Sequence, residues 1–108
     1  MSKIVVVQTS IDKESCGAFV EKIMQSGLSF CVHKQEIASQ YFWDRKICND
    51  EEMLLCFKTF KKDSKKLCKL IKKNHSYKIA EILVFKAHKV MKEYKRWGKE
   101  SLRALREL

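Results

Sequence analysis

The sequence predicts a small α+β protein in which two helices cover one face of an antiparallel sheet. Three observations carry this prediction. Segments of strand composition and segments of helical periodicity follow one another in the order β-α-β-β-α-β, and a further helix ends the chain. Proline is absent and glycine occurs only three times, which excludes linker-like and collagen-like sequences. The 108 residues, 45% of them hydrophobic, make one domain over residues 1–108.

The first half of the chain predicts one helix between extended segments. Lys3 to Thr9 is rich in β-branched residues and predicts a strand. Asp12 predicts the N-cap of a helix that Gly27 ends, with apolar residues at helical spacing between them. Leu28–Val32 predicts a second extended segment. Polar residues interrupt it before strand-like composition resumes over Ile37–Trp43.

The second half predicts two strands and two helices. Asp44–Lys46 predicts a chain reversal, and the apolar segment Met53–Thr59 predicts the strand after it. Asp63–Asn74 predicts a helix with a narrow apolar stripe, and Ile79–Phe85 predicts the last strand. From Met91 onward, apolar residues recur at intervals of three and four, which predicts an amphipathic C-terminal helix.

The first six elements have the order of the ferredoxin-like split βαβ fold, here with an extra C-terminal helix. Two helices cover only one face of such a sheet, and an antiparallel sheet with one wet face alternates apolar and polar residues. Three strands of this chain are instead apolar on both faces: residues 4–7, 53–57 and 82–85. Because large exposed apolar patches are uncommon on monomers, we expect further copies of the chain to cover the second face.

The net charge of +10 is concentrated in the second half of the chain. Residues 1–52 contain six Lys/Arg against eight Asp/Glu, whereas residues 53–108 contain 17 against five. This asymmetry favours an anionic partner, although a charged helical face is usually only solvated. The aromatic residues that nucleic-acid recognition generally exposes occupy predicted core or interface positions, so nucleic acid is not an expected partner. The lysines expected on the solvent side of the second helix are Lys62, Lys65, Lys66, Lys69, Lys72 and Lys73.

Composition and spacing also predict a cytoplasmic protein without catalytic function. No stretch approaches the roughly 18 apolar residues of a membrane span, and Ile4–Val7 is too short for a signal-peptide core. Most of the five cysteines lie in apolar segments, where a reduced thiol behaves as a small hydrophobe. No C-x-x-C or H-x-x-x-H spacing occurs, so any metal site needs ligands gathered by the fold or by a second chain. No spacing links a nucleophile to a base, and no Gly-rich phosphate loop is present.

Six stretches in collinear order resemble the CutA family of divalent-cation tolerance proteins. They are residues 5–9 (VVVQT), 28–32 (LSFCV), 41–46 (YFWDRK), 50–59 (DEEMLLCFKT), 75–82 (HSYKIAEI) and 93–102 (EYKRWGKESL). The resemblance implies a ferredoxin-like subunit in a compact homotrimer, similar in shape to PII signalling proteins. It also implies a role in the response to copper or another divalent cation, by binding or signalling rather than by catalysis. The alternative is a basic ligand- or nucleic-acid-binding module on the same PII-like trimeric scaffold.

His75 and Cys31 are the candidate ligands for a divalent metal, either copper or zinc. A neutral imidazole suits both metals, but a histidine at the end of a helix also interacts favourably with the helix dipole. A thiol binds soft metals, but a cysteine in an apolar strand usually packs. Some family members have a cysteine at the end of the first strand and a second adjacent histidine, where this chain has Gln8 and Asn74.

Five further residues correspond to positions near a cleft between subunits in the family. Among them, Lys58 and Glu81 are charges on otherwise apolar strands, and a buried charge needs a partner. One interpretation is an anion- or ligand-binding cleft between protomers. The other is a Lys–Glu pair that fixes the register of the trimer, with aromatic residues as interface anchors. Arg45 replaces the glycine of the family hairpin, which argues against a tight turn with positive φ. The five cleft candidates are Tyr41, Trp43, Lys58, Tyr77 and Glu81.

Overall fold

The computed structural model describes residues 3–108, and within that range the chain forms one four-stranded sheet and three helices. The elements in chain order are β1 (Ile4–Asp12), α1 (Lys13–Gln25), β2 (Cys31–Trp43), β3 (Lys46–Phe60), α2 (Lys61–Asn74), β4 (Leu83–Lys86) and α3 (Lys92–Arg106). The strand order is β2-β3-β1-β4, and every neighbouring pair is antiparallel. The predicted ferredoxin-like α+β fold with an extra C-terminal helix is confirmed.

The main core lies between the sheet and the two helices α1 and α2. Asp12 caps α1 as predicted, since its carboxylate accepts a hydrogen bond from the Ser15 backbone N–H at 2.8 Å. Gly27, with φ of 77°, follows the helix end. Every second residue of β1 and β3 points into this core. Its buried members are Val7, Ile11, Cys16, Phe19, Val20, Ile23, Leu55, Phe57, Leu67 and Ile71.

The β2–β3 hairpin is longer than the sequence predicts. β2 runs without interruption through the polar residues 33–36, and β3 includes the acidic residues 50–52. Cross-strand pairing is continuous from Cys31 with Lys58 to Trp43 with Lys46. The predicted interruption is wrong because residues 33–36 are exposed, so polar side chains are compatible with a strand there.

The turn of this hairpin has positive φ at both central residues, 50° at Asp44 and 64° at Arg45. A two-residue hairpin loop favours this geometry because it matches the right-handed twist of the flanking strands. The expectation that Arg45 disfavours a tight turn is therefore wrong. The ladder that closes at Trp43 and Lys46 holds Arg45 in the left-handed region, at a cost of about 1 kcal/mol.

The last strand is shorter than predicted, since residues 79–82 lie outside β4. β4 pairs with β1 from Val5 to Gln8 at the edge of the sheet. Its side chains are largely exposed, with Phe85 at 50% of its full area. The apolar composition that predicts this strand is therefore not buried within the protomer.

The face of the sheet opposite α1 and α2 is called the open face below. Strand alternation places both apolar and polar residues on it. Within the protomer they are half-buried or exposed rather than covered by a helix. The open-face residues of β1, β3 and β4 are Val6, Gln8, Ser10, Leu54, Cys56, Lys58, Leu83 and Phe85.

The third helix covers one end of the sheet, where β1 begins and β3 ends. Leu102 of α3 packs there with Ile4, Phe30 and Phe60 in a second buried cluster. The Phe30 ring lies 5.8 Å, centroid to centroid, from the Trp97 ring in an edge-to-face arrangement. Within residues 3–108, no helix is long and apolar enough to cross a bilayer.

Candidate functional site

His75 follows α2 and is held by hydrogen bonds at both ring nitrogens. Nδ1 accepts a hydrogen bond from the Tyr77 backbone N–H at 3.0 Å. Nε2 lies 2.9 Å from the Ser10 carbonyl oxygen and 3.0 Å from Thr9 Oγ1 on β1. The ring also packs against Phe19 of α1, with centroids 5.4 Å apart. His75 therefore connects the segment after α2 to Thr9 and Ser10 of β1.

These contacts determine the proton arrangement of the imidazole. A backbone N–H can only donate and a carbonyl can only accept, so Nδ1 is unprotonated and Nε2 carries the hydrogen. Burial lowers the pKa of His75 below its ordinary value of 6.5, against opposing effects of the Ser10 carbonyl and nearby carboxylates. The neutral ring has no nitrogen free for a metal unless the contact to Tyr77 is broken.

Cys31 lies far from His75 along the sheet. It pairs across the strands with Lys58, whose partner on β1 is Val6, whereas His75 contacts Thr9 and Ser10. Its half-buried thiol packs against the second buried cluster under α3. In the part of the chain that the structure describes, residues 3–108, no group of three or more His, Cys, Asp or Glu side chains could hold a metal ion. The side chains present in one protomer therefore do not fit a preformed metal centre.

Tyr77 forms the second polar contact of the segment after α2. Its hydroxyl donates to Glu52 Oε2 at 2.6 Å, and Glu52 is buried, with 7% of its area exposed. Burial and this hydrogen bond raise the pKa of Tyr77 above its ordinary value of 10.0. Beside it, the Ser76 hydroxyl donates to Asp12 Oδ1 at 2.5 Å. Sequence reasoning overlooked Glu52 as a site residue, although it is the last acid before the apolar part of β3.

Lys58 and Glu81 do not pair with each other within the described residues of one protomer. The Lys58 ammonium donates to His33 Nδ1 at 2.6 Å, and Glu81 Oε2 accepts from Gln8 Nε2 at 3.1 Å. Gln8 and Lys58 both belong to the open face. The Lys–Glu pair is therefore not formed within the described residues of one chain, and a pair between chains stays a prediction.

Tyr41 and Trp43 lie near the tip of the hairpin. The Tyr41 hydroxyl donates to the Asp50 carboxylate, and this contact raises the pKa of Tyr41 to about 12. Trp43 keeps 54% of its area exposed, and its apolar neighbours Phe42 and Ile47 are exposed at 69% and 60%. These side chains form an apolar tip without cover in the protomer.

Distance along the strands separates Trp43 at the hairpin tip from Lys58. Trp43 pairs with Lys46, which is twelve residues from Lys58 on β3, or about 40 Å at a rise of 3.3 Å per residue. The structure thus brings Lys58, Tyr77 and Glu81 to the sheet but leaves Tyr41 and Trp43 remote from Lys58 within one chain.

The lysines of α2 face solvent as predicted, opposite the fully buried Leu67 and Ile71. The acid of this helix, Asp63, is buried, and its Oδ2 accepts a hydrogen bond from Arg106 Nη2 of α3 at 3.0 Å. The exposed side of α2 therefore carries positive charge without a compensating acid from the same helix.

The sheet order, the two helices on one face and the third helix at its end define a ferredoxin-like subunit with an open sheet face and an exposed apolar hairpin. The chain belongs to the CutA1 family: the family model described as CutA1 divalent ion tolerance protein matches residues 4–101. The divalent-cation tolerance protein CutA of Thermotoga maritima is 31% identical over 99 residues, which cover 92% of this chain and 98% of that protein.

Solved structures of the family share the fold. CutA1 from Pyrococcus horikoshii superposes with a TM-score of 0.86 at 26% identity, covering 90% of this chain and 96% of that one. CutA1 from Oryza sativa superposes with a TM-score of 0.85 at 29% identity, covering 92% of this chain and 93% of that one.

Proposed function

We propose that this chain acts in the response to divalent cations as a cytoplasmic homotrimer, by binding or signalling rather than by catalysis. The observation that carries the proposal is the match to the CutA1 family over residues 4–101, together with relatives named for divalent-cation tolerance. The five free cysteines favour a reducing compartment, although an Archaeoglobus fulgidus structure of the same fold is described as periplasmic.

The open face and the hairpin tip support the trimeric part of the proposal. Phe85 and Leu83 on β4 and Trp43 on the hairpin are large apolar side chains that keep about half of their area exposed. Covering them with identical chains removes this apolar area from water and leaves no unpaired patch. In this arrangement the hairpin tip of one protomer approaches the open face of the next.

The same arrangement accounts for the dispersed cleft residues. Tyr41 and Trp43 from one protomer would lie beside Lys58, Tyr77 and Glu81 of another, whereas within one chain Trp43 and Lys58 are about 40 Å apart along the strands. Within the trimer, Lys58 and Glu81 are available either to bind an anionic ligand or to pair across the interface. We propose that this inter-protomer cleft, rather than a site within one chain, transmits the response.

A direct metal contact places stricter demands on the residues. His75 binds copper or zinc only by giving up a hydrogen bond, and Cys31 lies elsewhere on the sheet, so each needs further ligands from another protomer. We therefore propose metal binding at His75 or Cys31 only for the assembled trimer, which would bind or sense the cation.

Calorimetric titration with Zn²⁺, which the free thiols do not reduce, tests metal binding on the assembled protein. If His75 or Cys31 is a ligand, His75→Ala or Cys31→Ser weakens binding by about tenfold or more, as expected for loss of one ligand of a small set. The exposed His88 and the half-buried Cys48 supply matched controls as His88→Ala and Cys48→Ser, which should leave the affinity unchanged. Absence of binding to Zn²⁺, and to Cu²⁺ in the same experiment, would contradict direct metal binding.

A further inference from the structure

A cavity of about 430 Å³ opens between the start of α2 and the last turns of α3. Its floor includes Phe60 and Leu102, which belong to the second buried cluster and keep only 2% and 3% of their area exposed. The volume lies within the range of small-molecule sites in proteins, roughly 300–1,000 Å³. The cavity is separate from His75 and from the cleft candidates on the open face.

Cationic side chains from both helices line this cavity. Lys62 comes from the first turn of α2, whereas Lys99 and Arg103 come from α3, where their four-residue spacing puts them on one flank. All three are exposed, and within residues 3–108 none of them forms an ion pair. Tyr94 and Trp97 lie on the other flank of α3, around Phe30.

Arg106 also lines the cavity, but its guanidinium already forms hydrogen bonds within the protein. Its Nη2 donates to Asp63 Oδ2 at 3.0 Å, and its Nε donates to the Gly27 carbonyl at 2.9 Å. These contacts hold the end of α3 against the start of α2 and against the turn after α1. Arg106 therefore fixes the shape of the cavity, while its charge is neutralised by Asp63.

One acidic side chain, Glu107 at the end of α3, shares the lining. Three unpaired cations against one carboxylate leave the cavity positive. Like charges held close together repel one another, and an anion between them relieves this repulsion.

We infer that this cavity binds a small phosphate-bearing molecule. Lys62, Lys99 and Arg103 bind the phosphate oxygens. Arg103 offers two N–H groups to a phosphate, while each lysine acts as a point charge. All of these lining residues belong to a single chain.

Calorimetric titration of the full chain with pyrophosphate at low ionic strength tests this site. We expect one pyrophosphate ion to bind per chain. The double variant Lys99→Gln with Arg103→Gln should weaken this binding by about tenfold or more. The matched control, Lys72→Gln with Lys73→Gln, removes the same charge from the last turn of α2 and should change the affinity by less than about twofold. Glu107→Gln should strengthen binding, because it removes the one carboxylate of the lining.

Three results would overturn the inference. The first is that pyrophosphate releases no heat up to millimolar concentration. The second is that the two double variants lose affinity for pyrophosphate equally, because that indicates attraction by a diffuse positive potential rather than binding at a site. The third result is that a single-stranded RNA binds far more tightly than pyrophosphate and that both double variants lose the same RNA affinity. The partner is then a nucleic acid bound along α2. Circular dichroism on each variant verifies that the fold is retained, since the substituted residues are exposed.

Discussion

At the scale of single residues, His75 has a structural role that its sequence position only partly predicts. The sequence places an imidazole at the end of a helix, where either a metal or the helix dipole could account for it. The structure adds the Ser10 carbonyl, the Thr9 hydroxyl and the Tyr77 backbone N–H, which come from β1 and from the segment after α2. These contacts favour the neutral ring and make the stability of the protein depend on pH.

The sign of that dependence follows from the lowered pKa of His75. The unfolded chain takes up the proton near pH 6.5, whereas the folded chain takes it up only at lower pH. As the pH falls below 6.5, the unfolded state therefore gains protons that the folded state does not, and the free energy of unfolding decreases. The decrease ends once the pH is below the folded pKa.

Urea unfolding of His75→Gln at several pH values measures this effect. At pH 7.5 the variant loses about 1–2 kcal/mol, because buried hydrogen-bond partners are left incomplete. The difference from the wild type narrows towards pH 5, since only the wild type has this histidine to protonate. A difference that stays constant between pH 7.5 and 5 would contradict the assignment of the neutral ring.

At the scale of elements, α3 depends on close contact between a glycine and an aromatic ring. A Cβ atom at Gly98 would lie 2.9 Å from Cζ of Phe30, whose ring is itself surrounded by Phe60, Tyr94 and Trp97. Glycine inside a helix is unfavourable by about 1 kcal/mol relative to alanine, so the packing must outweigh this cost.

A matched pair of glycine variants tests the packing of α3. Gly98→Ala forces the buried ring to move, and the overpacking, about 1–3 kcal/mol, exceeds the gain in helix propensity. Gly17→Ala in α1 has nothing within 4 Å of the new methyl group, so it should stabilise the protein by about 0.5–1 kcal/mol. Thermal unfolding should therefore show opposite shifts. Equal stabilisation by both substitutions would mean that α3 does not pack tightly on Phe30.

At the scale of the whole molecule, apolar surface remains exposed in several places. They include the open face near β4 and the hairpin tip around Trp43, and Met91 just before α3 and Trp97 on α3 are exposed at 58% and 48%. A second, polar surface is formed by the exposed lysines of α2, on the side of the sheet that α1 and α2 cover. The apolar surface favours association with identical chains, whereas the charged surface opposes association through α2.

Light scattering in dilute solution should give about three times the chain mass of 12.8 kDa. Trp43→Asp places a charge at the proposed interface anchor, and we expect it to lower the average mass, because a desolvated carboxylate without a partner opposes assembly. Ala18→Asp, at an exposed position of α1, introduces the same charge elsewhere and should leave the mass unchanged. A monomeric wild type, or a trimer unaffected by Trp43→Asp, would contradict this placement of the interface.

The sequence by itself determined the order of the elements, the cap at Asp12, the buried stripe at Leu67 and Ile71, and the family. These features depend on neighbours within a few residues or on periodicity, both of which are written directly in the chain. It failed where distant parts of the chain decide the outcome. Pairing across the hairpin holds Arg45 at positive φ and carries β2 through its polar residues, while β4 pairs with β1 only from Val5 to Gln8.

The tertiary structure alone decided which side chains meet. Tyr77 finds Glu52, Lys58 finds His33 rather than Glu81, and Arg106 finds Asp63. Each of these contacts joins residues at least 25 positions apart, so no local pattern encodes it. Side-chain chemistry limits the possible partners, but only the packing of helices on the sheet chooses among them.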